Sequence, residues 1–263
     1  MKEKDMPEMD RRSLLKMGAA AIAGTVIGNG VTLYTSPARA EEGGGPPGAA
    51  ATNALEIPSK GKARWGMVID NNKCTAQCTA CTAACRTENN VPLFGDERYD
   101  GHWIRKVTLT PERGGPEKHL PLLCNHCDQP PCQHVCPVAA TFTRHDGIVM
   151  IDKHRCIGCR YCMIACPYKA RTFVFKETSE WTNKDVPKRA HGVVEKCTFC
   201  AHLIDQGKIP ACVEACNKSG EGAMIFGDLN NPGSAIVKYI RAVATKGIRE
   251  DLGLEPKVFY TGI

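Results

Sequence analysis

The chain has 263 residues, a formal net charge of +6 and sixteen cysteines. Aromatic residues make up only 6% of it, so a large aromatic core is excluded and something besides apolar burial must help the chain to fold. The positive charge does not indicate a nucleic-acid-binding protein, because no basic stripe with interleaved aromatic residues accompanies it. We therefore expect no nucleic-acid partner.

The first 40 residues carry the features of an export signal. Arg11 and Arg12 form a twin-arginine pattern, a glycine-interrupted apolar run follows over 17–35, and Ala38 and Ala40 form an A-x-A cleavage pattern. The alternative is a chance basic pair before a membrane anchor, for which this short run rich in Gly and Ala is poorly suited. We predict a cleaved twin-arginine signal peptide and a protein that is periplasmic or on the outer face of the cytoplasmic membrane.

The chain after the leader divides by composition and periodicity. Residues 41–63 are rich in Gly, Pro and Ala, which predicts a flexible linker. Strands are predicted over 64–70, 102–110 and 171–176 from their apolar, β-branched and aromatic content. Apolar residues at helical spacing predict a helix over 234–247 that begins at a serine cap and ends at a glycine.

All of the cysteines fall into four groups of four, separated by tens of residues. In chain order the groups are Cys74, Cys78, Cys81, Cys85; Cys124, Cys127, Cys132, Cys136; Cys156, Cys159, Cys162, Cys166; and Cys197, Cys200, Cys212, Cys216. The runs VIDNNKC (68–74) and MIDKHRC (150–156) that lead into two of the groups repeat one unit.

The third group matches the iron–sulfur pattern C-x2-C-x2-C-x3-C-P at every position. Its first three cysteines can wrap a tight turn around one cubane, and Gly158 allows that turn to approach closely. The fourth cysteine, followed by Pro167, is aimed at the other cluster of a pair.

The first group departs from this pattern, because three residues separate Cys74 from Cys78 where two are usual. Completing the pairing of clusters requires this group, so we interpret the extra residue as a widened turn. A three-iron cluster at this site stays an open alternative.

Other uses of the cysteines fit the pattern less well. Structural zinc uses C-x2-C pairs, and the tight triplet suits it poorly. Disulfides would force strained local bridges within the triplet. Nearby histidines could replace thiolates, although the sixteen thiols already suffice for four clusters. These histidines are His126, His134, His154 and His202.

Basic residues directly precede the first cysteine of three groups, at Lys73, Arg155 and Lys196. A cation at this position would raise the reduction potential of a neighbouring cluster. A solvated base at the end of a strand is the alternative.

The four groups, the PPC sequence at 130–132 and the long loop between Cys200 and Cys212 resemble the four-cluster ferredoxin subunits of membrane-bound respiratory oxidoreductases. The resemblance covers residues 64–228. It implies an α+β fold of two ferredoxin-like lobes with nested cysteine motifs, short strands and helices, and a C-terminal helical extension. The implied divisions are an outer lobe of 64–122 plus 172–230, an inner lobe of 123–171, and a C-terminal helix and tail over 231–263.

The resemblance further implies four [4Fe-4S] clusters, with the first group paired to the fourth and the second to the third. The implied ligand sets are Cys74, Cys78, Cys81 and Cys216; Cys197, Cys200, Cys212 and Cys85; Cys124, Cys127, Cys132 and Cys166; and Cys156, Cys159, Cys162 and Cys136.

The leader and the widened first gap make the chain similar to the DsrO type of subunit in DsrMKJOP complexes, called Hme complexes in archaea. This similarity implies electron transfer in respiratory sulfur metabolism, between a polytopic quinone-interacting membrane subunit and a multihaem cytochrome c or other redox subunit. Contact with the membrane would be mainly through the partner.

We expect the chain to have no substrate site of its own, because no nucleophile–base pair, phosphate-binding loop or open metal site accompanies the cysteines. Two alternatives stay open. One is an electron-transfer subunit of a molybdopterin oxidoreductase of the polysulfide reductase or formate dehydrogenase type, and the other is a zinc-stapled interaction module.

Overall fold

The computed structural model describes residues 63–263, except 113, 180 and 220. The predicted leader and all but the last residue of the predicted linker lie outside the described residues. The described part contains both helices and strands, as the predicted α+β class requires.

The strands of the described part are short, and most of them pair with a neighbour in the chain. In chain order they are β1 (Trp65–Asp70), β2 (Ile104–Leu109), β3 (Lys118–Leu123), β4 (Thr141–Thr143), β5 (Val149–Ile151), β6 (Thr172–Phe173), β7 (Val194–Glu195), β8 (Met224–Asp228), β9 (Lys246–Gly247) and β10 (Val258–Thr261).

The helices of the described part are short as well. They are α1 (Ala80–Asn89), α2 (Pro131–His134), α3 (Tyr161–Ala165), α4 (Ala201–Ile204), α5 (Ala211–Lys218) and α6 (Ala235–Ala242), together with a 3-10 helix at Glu250–Leu252. Among residues 63–263 as described, the structure has no helix that is both long and apolar enough to cross a membrane.

A four-stranded sheet has the order β8-β1-β10-β9, with β1 parallel to β10 and antiparallel to β8. Met67, Val68 and Ile69 of β1 are completely buried, as expected for a central strand covered on both faces. The amide of Met67 donates a hydrogen bond to the carbonyl of Lys257 over 2.9 Å, which fixes the C-terminal segment against β1.

The C-terminal segment differs from its prediction. Helix α6 begins after Ser234, whose side chain accepts a hydrogen bond from the amide of Val237 over 3.4 Å, so the predicted cap is confirmed. The helix ends at Ala242 and does not reach Gly247, because the chain becomes extended at Val243 and then pairs as β9 with β10. The tail that the sequence set apart as an extension is thus part of the sheet.

The predicted strands at 64–70 and 102–110 are confirmed by β1 and β2. The strand predicted over 171–176 is reduced to the two residues of β6. Two backbone hydrogen bonds continue the pairing with β7, from the amide of Val174 to the carbonyl of Val193 and from the amide of Gly192 to the carbonyl of Val174, and Phe175 beyond them is exposed.

Most of the cysteines lie in or next to two parts of the molecule. We call β1, β8, β9 and β10 with α1, α5 and α6 the sheet region, in which α1 packs against α5 and α6 against β8. We call residues 123–171 the hairpin region, in which β4 pairs with β5 and α2 packs against α3.

Candidate iron–sulfur cluster sites

The structure gathers the sixteen thiols into four sets, each drawn from two of the sequence groups. Set 1 is Cys74, Cys78, Cys81 and Cys216; set 2 is Cys85, Cys197, Cys200 and Cys212; set 3 is Cys124, Cys127, Cys132 and Cys166; and set 4 is Cys136, Cys156, Cys159 and Cys162. These are the sets that the resemblance implies as cluster ligands; that role stays a prediction. All sixteen cysteines are free thiols.

Helices α1 and α5 explain how two distant groups share two sets. Cys81 and Cys85 are four residues apart on α1, as are Cys212 and Cys216 on α5, so each pair lies on one face of its helix. Because α1 packs against α5, each helix gives one thiol to set 1 and one to set 2.

The four sets form a row. Set 1 adjoins set 2, because Cys81 and Cys85 lie one turn apart on α1, as do Cys212 and Cys216 on α5. Set 2 adjoins set 3, because burial and then the charge of Cys124 raise the pKa of Cys197 to about 12. Sets 3 and 4 meet where Cys132 and Cys162 pack in one small cluster of buried residues.

Burial differs along the row. Every thiol of set 2 is buried, and in set 3 only Cys166 is partly exposed. Set 1 has two partly exposed thiols at one end, and set 4 at the other end contains Cys159, the one cysteine of the sixteen that is exposed. The row therefore has a dry middle and two ends near the surface.

The widened gap of the first group is accommodated by a loop closed around Lys106. The ammonium of this residue donates to the carbonyls of Thr75, Ala76 and Cys78, the last over 2.7 Å. The extra residue thus extends the turn while Cys74 and Cys78 stay in one set.

The tight turn of the third group depends on its glycine. Gly158 has φ of +71°, and a Cβ placed there would lie 2.3 Å from the carbonyl oxygen of Gly192. A side chain at this position would push the turn away from Gly192, so the close approach of the two segments requires the glycine of the motif.

The surroundings of the thiols fit cubane clusters. Sulfur accepts backbone hydrogen bonds from Ala140 at Cys136 and from Ala223 at Cys216, both over 3.2 Å. An Asn89 side-chain amide donates to the sulfur of Cys200 over 3.4 Å. Such hydrogen bonds to ligand sulfur are among the features that tune iron–sulfur centres.

The raised pKa values of the buried thiols also fit metal binding. Burial, followed by the charges of neighbouring thiolates, raises the pKa of Cys81 to about 11 and that of Cys127 to about 12. These thiols keep their protons at neutral pH unless a metal replaces them, since a coordinating thiol is deprotonated outright. Among the described residues, no three His, Cys, Asp or Glu side chains are arranged to hold a single metal ion.

Comparison with known proteins gives the family. Residues 117–229, which include the second to fourth cysteine groups, match the model of a 4Fe-4S dicluster domain. The Hdr-like menaquinol oxidoreductase iron-sulfur subunit 1 of Archaeoglobus fulgidus is 44% identical, and the alignment covers 96% of this chain and 97% of that protein. The chain belongs to the family of 4Fe-4S iron–sulfur subunits of respiratory oxidoreductases.

Two further relatives of this iron–sulfur subunit match about three quarters of its length. The tetrathionate reductase of Salmonella typhimurium has a subunit that is 41% identical over 76% of the chain and 73% of its own length. The iron-sulfur cluster-binding subunit of the menaquinone reductase of Nitratidesulfovibrio vulgaris is 38% identical over 76% of the chain and 89% of its own length.

The three cations that precede cysteine groups are in different surroundings in this iron–sulfur subunit. Lys73 lies 3.8 Å from Asp70 and Arg155 lies 3.5 Å from Asp152, and both basic side chains are well exposed. Lys196 is buried, and its ammonium donates to the carbonyls of Val149 and Cys197. The solvated alternative therefore fits Lys73 and Arg155, whereas Lys196 is a buried cation beside set 2.

Sequence reasoning missed a second buried cation, Arg171. Burial acts to lower its pKa, but the charges of Cys132, Cys162 and Cys124 outweigh burial and raise it. One of its nitrogens donates to Thr141 over 3.2 Å, while Nη2 is buried without a hydrogen-bond partner among the described protein groups. A buried cation needs an anion, and the net negative charge of ligated clusters in sets 3 and 4 would supply it.

The four histidines considered as ligands have other surroundings. His126 is fully buried, stacks on Phe199 at 3.8 Å and accepts a hydrogen bond from the amide of Val149. Burial, helped by nearby cations, lowers its pKa well below the usual range, so its ring is neutral. His202 bonds to Glu88 over 2.7 Å. His134 and His154 are exposed.

Proposed function

We propose that this iron–sulfur subunit is a one-electron conduit that carries four [4Fe-4S] clusters, one on each set of thiols. The observation that carries the proposal is the continuous row from set 1 to set 4, with buried sets in its middle. When bound, the clusters would supply reversible one-electron chemistry. The chain would make and break no substrate bonds.

The side chains around the row would set the direction of electron flow. Arg171 and Lys196 place positive charge beside sets 2, 3 and 4, which favours the reduced, more negative form of a cluster. Burial of set 2 excludes water and favours the less charged, oxidised form. Asn89 donates to sulfur in set 2 and opposes part of that penalty.

For its complex, we propose the DsrO type of subunit, next to a quinone-interacting membrane subunit and a multihaem cytochrome c. The relative from Archaeoglobus fulgidus supports a quinol-linked partner, because it is named as a menaquinol oxidoreductase subunit and matches the chain over nearly its full length. Export by the twin-arginine leader would place the protein in the periplasm or on the outer face of the cytoplasmic membrane.

A second candidate is the electron-transfer subunit of a molybdopterin oxidoreductase. The identity to the tetrathionate reductase protein favours a catalytic reductase as partner, because that relative is named as part of one. The two candidates share the four clusters and differ in the neighbour, so copurification separates them. A haem c subunit would support the first candidate, and a large molybdenum-containing subunit would support the second.

The test of the proposal is the content of iron, zinc and acid-labile sulfide per chain, in protein purified without oxygen. We expect about sixteen iron and about sixteen sulfide. About fifteen iron, with a three-iron signal, would place an incomplete cluster at set 1. About four zinc without sulfide would contradict electron transfer and leave a zinc-stapled scaffold.

A further inference from the structure

The exposed apolar side chains of the described part are concentrated around set 4. Ile164, Ile157 and Tyr161 are 81%, 64% and 58% exposed, the three largest fractions among its large hydrophobic residues. They surround Cys159 in the sequence, and Val135, also exposed, precedes Cys136 of the same set. We call Val135, Ile157, Tyr161 and Ile164 the apolar patch.

Aromatic contacts extend this surface beyond the cysteine motif. The guanidinium of Arg160 lies over the ring of Phe173, 5.2 Å from its centroid. The ring of Phe173 meets that of Phe175 edge-on at 4.8 Å, and Phe175 in turn meets Tyr99 at 5.4 Å. Apolar and aromatic groups therefore run continuously from set 4 to the exposed side chain of Phe175.

The charged side chains around the apolar patch are mostly basic, although Arg155 lies 3.5 Å from Asp152. Residues 153–176 contain six Lys and Arg residues and no Asp or Glu. Among these six, Arg155, Arg160, Lys169 and Lys176 are exposed. A surface with an apolar centre and a basic rim is complementary to one with an apolar centre and an acidic rim.

We propose that the apolar patch is the docking surface for a redox partner protein whose contact surface is apolar at its centre and framed by Asp and Glu side chains. The proposal rests on the proposed function, since it requires a cluster at set 4. Docking would cover Cys159 and bring the partner's redox centre next to the end of the row. A protein fits better than a lipid surface, because an electron that reaches set 4 needs an acceptor or donor there and lipid supplies neither.

The experiment uses the native complex, purified without oxygen through a tag on this subunit, with Ile164→Glu compared with the wild type. A carboxylate introduced into an apolar contact is left unpaired on burial, so we expect about a tenfold or greater loss of retained partner subunits. Iron and sulfide per chain should not change, because Ile164 is a solvent-exposed residue and not a thiol. The matched control is Ile263→Glu, at a residue that is 52% exposed near the end of β10, and it should retain the partners.

A charge variant keeps the test valid if Ile164→Glu fails to fold. Lys169→Glu should weaken retention of the partner, and the dependence of retention on salt should decrease, because an attractive rim contact has been removed. Full retention of the partners by both variants, at any salt concentration, would overturn the proposal.

A photoreactive side chain at position 164 identifies the occupant in the intact complex. We expect a cross-link to a peptide of another redox subunit that contains apolar residues and carboxylates. A cross-link to a second copy of this chain, or to lipid, would contradict the proposal. Absence of iron and sulfide from the wild type would overturn the proposed function, whereas unchanged iron with unchanged partner retention would overturn only the docking surface.

Discussion

The sheet region and the hairpin region differ in how much of their buried packing is made by cysteines. In the sheet region, β1 and its neighbours bury ordinary apolar side chains, with Met67, Ile69 and Tyr260 all at most 1% exposed. The small cluster of buried residues under the β4–β5 hairpin has only four members, and two of these, Cys132 and Cys162, are cysteines. Leu123 and Ile148 of the hairpin region do join the larger core that contains β1, but the β4–β5 hairpin itself packs on the small cluster. If the sets bind clusters as proposed, metal ligation would supply more of the folding energy of the hairpin region than of the sheet region.

The largest expected effect comes from removing one thiol at each end of the row. Cys159→Ala should lose about four iron per chain and expose the backbone of residues 123–171 to hydrogen exchange, because ligation is folding energy there. Cys78→Ala, the matched variant in set 1, should also lose iron but leave the amides of β1 and β10 protected. Hydrogen exchange followed by mass spectrometry measures both. Equal loss of protection in the two regions would contradict the claim that the hairpin region depends more on metal ligation than the sheet region does.

A smaller effect, on the free energy of unfolding, is expected from the ion pair that joins the two regions. Lys257, fully buried at the start of β10, bonds through its ammonium to Asp128 of the hairpin region, which Arg64 also contacts. Lys257→Met should lower the free energy of unfolding by about 2 kcal/mol, because Asp128 loses a hydrogen bond from a buried charged group and keeps only Arg64 as its ionic partner. Lys246→Met, on the exposed neighbouring strand β9, should change it by less than about 0.5 kcal/mol. Denaturant unfolding of the loaded protein checks both.

The same contact gives a pH dependence. Burial acts to raise the pKa of Asp128, but hydrogen bonds from Lys257 and Arg64 hold it below its usual range. Its stabilising effect is therefore complete above about pH 4 and is lost as the pH falls through the folded-state pKa. The Lys257→Met protein should lose less stability than the wild type over this acidic range, and an equal loss would count against the contact.

The smallest expected effect is on the reduction potentials of the clusters and not on the stability of the fold. Arg171→Leu removes the buried cation beside sets 3 and 4 and should lower the reduction potentials of their clusters by tens of millivolts. Arg171→Lys keeps the charge and should restore most of the shift, while Lys169→Leu, at an exposed site, should have little effect. Redox titration followed by electron paramagnetic resonance measures the shifts. If Arg171→Lys shifts the potentials as much as Arg171→Leu, packing and not charge would be the cause.

The features that the sequence predicted correctly are those determined by residues close together in the chain. The cysteine groups, the strands β1 and β2 and the serine cap of α6 each have a signal within a few residues. The place of β10 beside β1 has none, because the two strands are far apart in the sequence and pair only in the folded sheet. The burial of Arg171 and Lys257 was missed for the same reason, since a basic residue in a short strand or loop is usually solvated.

The nested arrangement of the sets also determines the order in which their cysteines become complete during synthesis of the chain. Cys216 follows Cys81 of the same set by 135 residues, whereas Cys166 follows Cys132 of its set by only 34. At translation rates of about 5–20 residues per second, the first three thiols of set 1 leave the ribosome on the order of ten seconds before their partner. If the sets bind clusters as proposed, the inner sets would be complete for metal binding while the chain is still growing. The outer sets are complete only after Cys216, and the pairing of β1 with β10 must wait until β10 has been made.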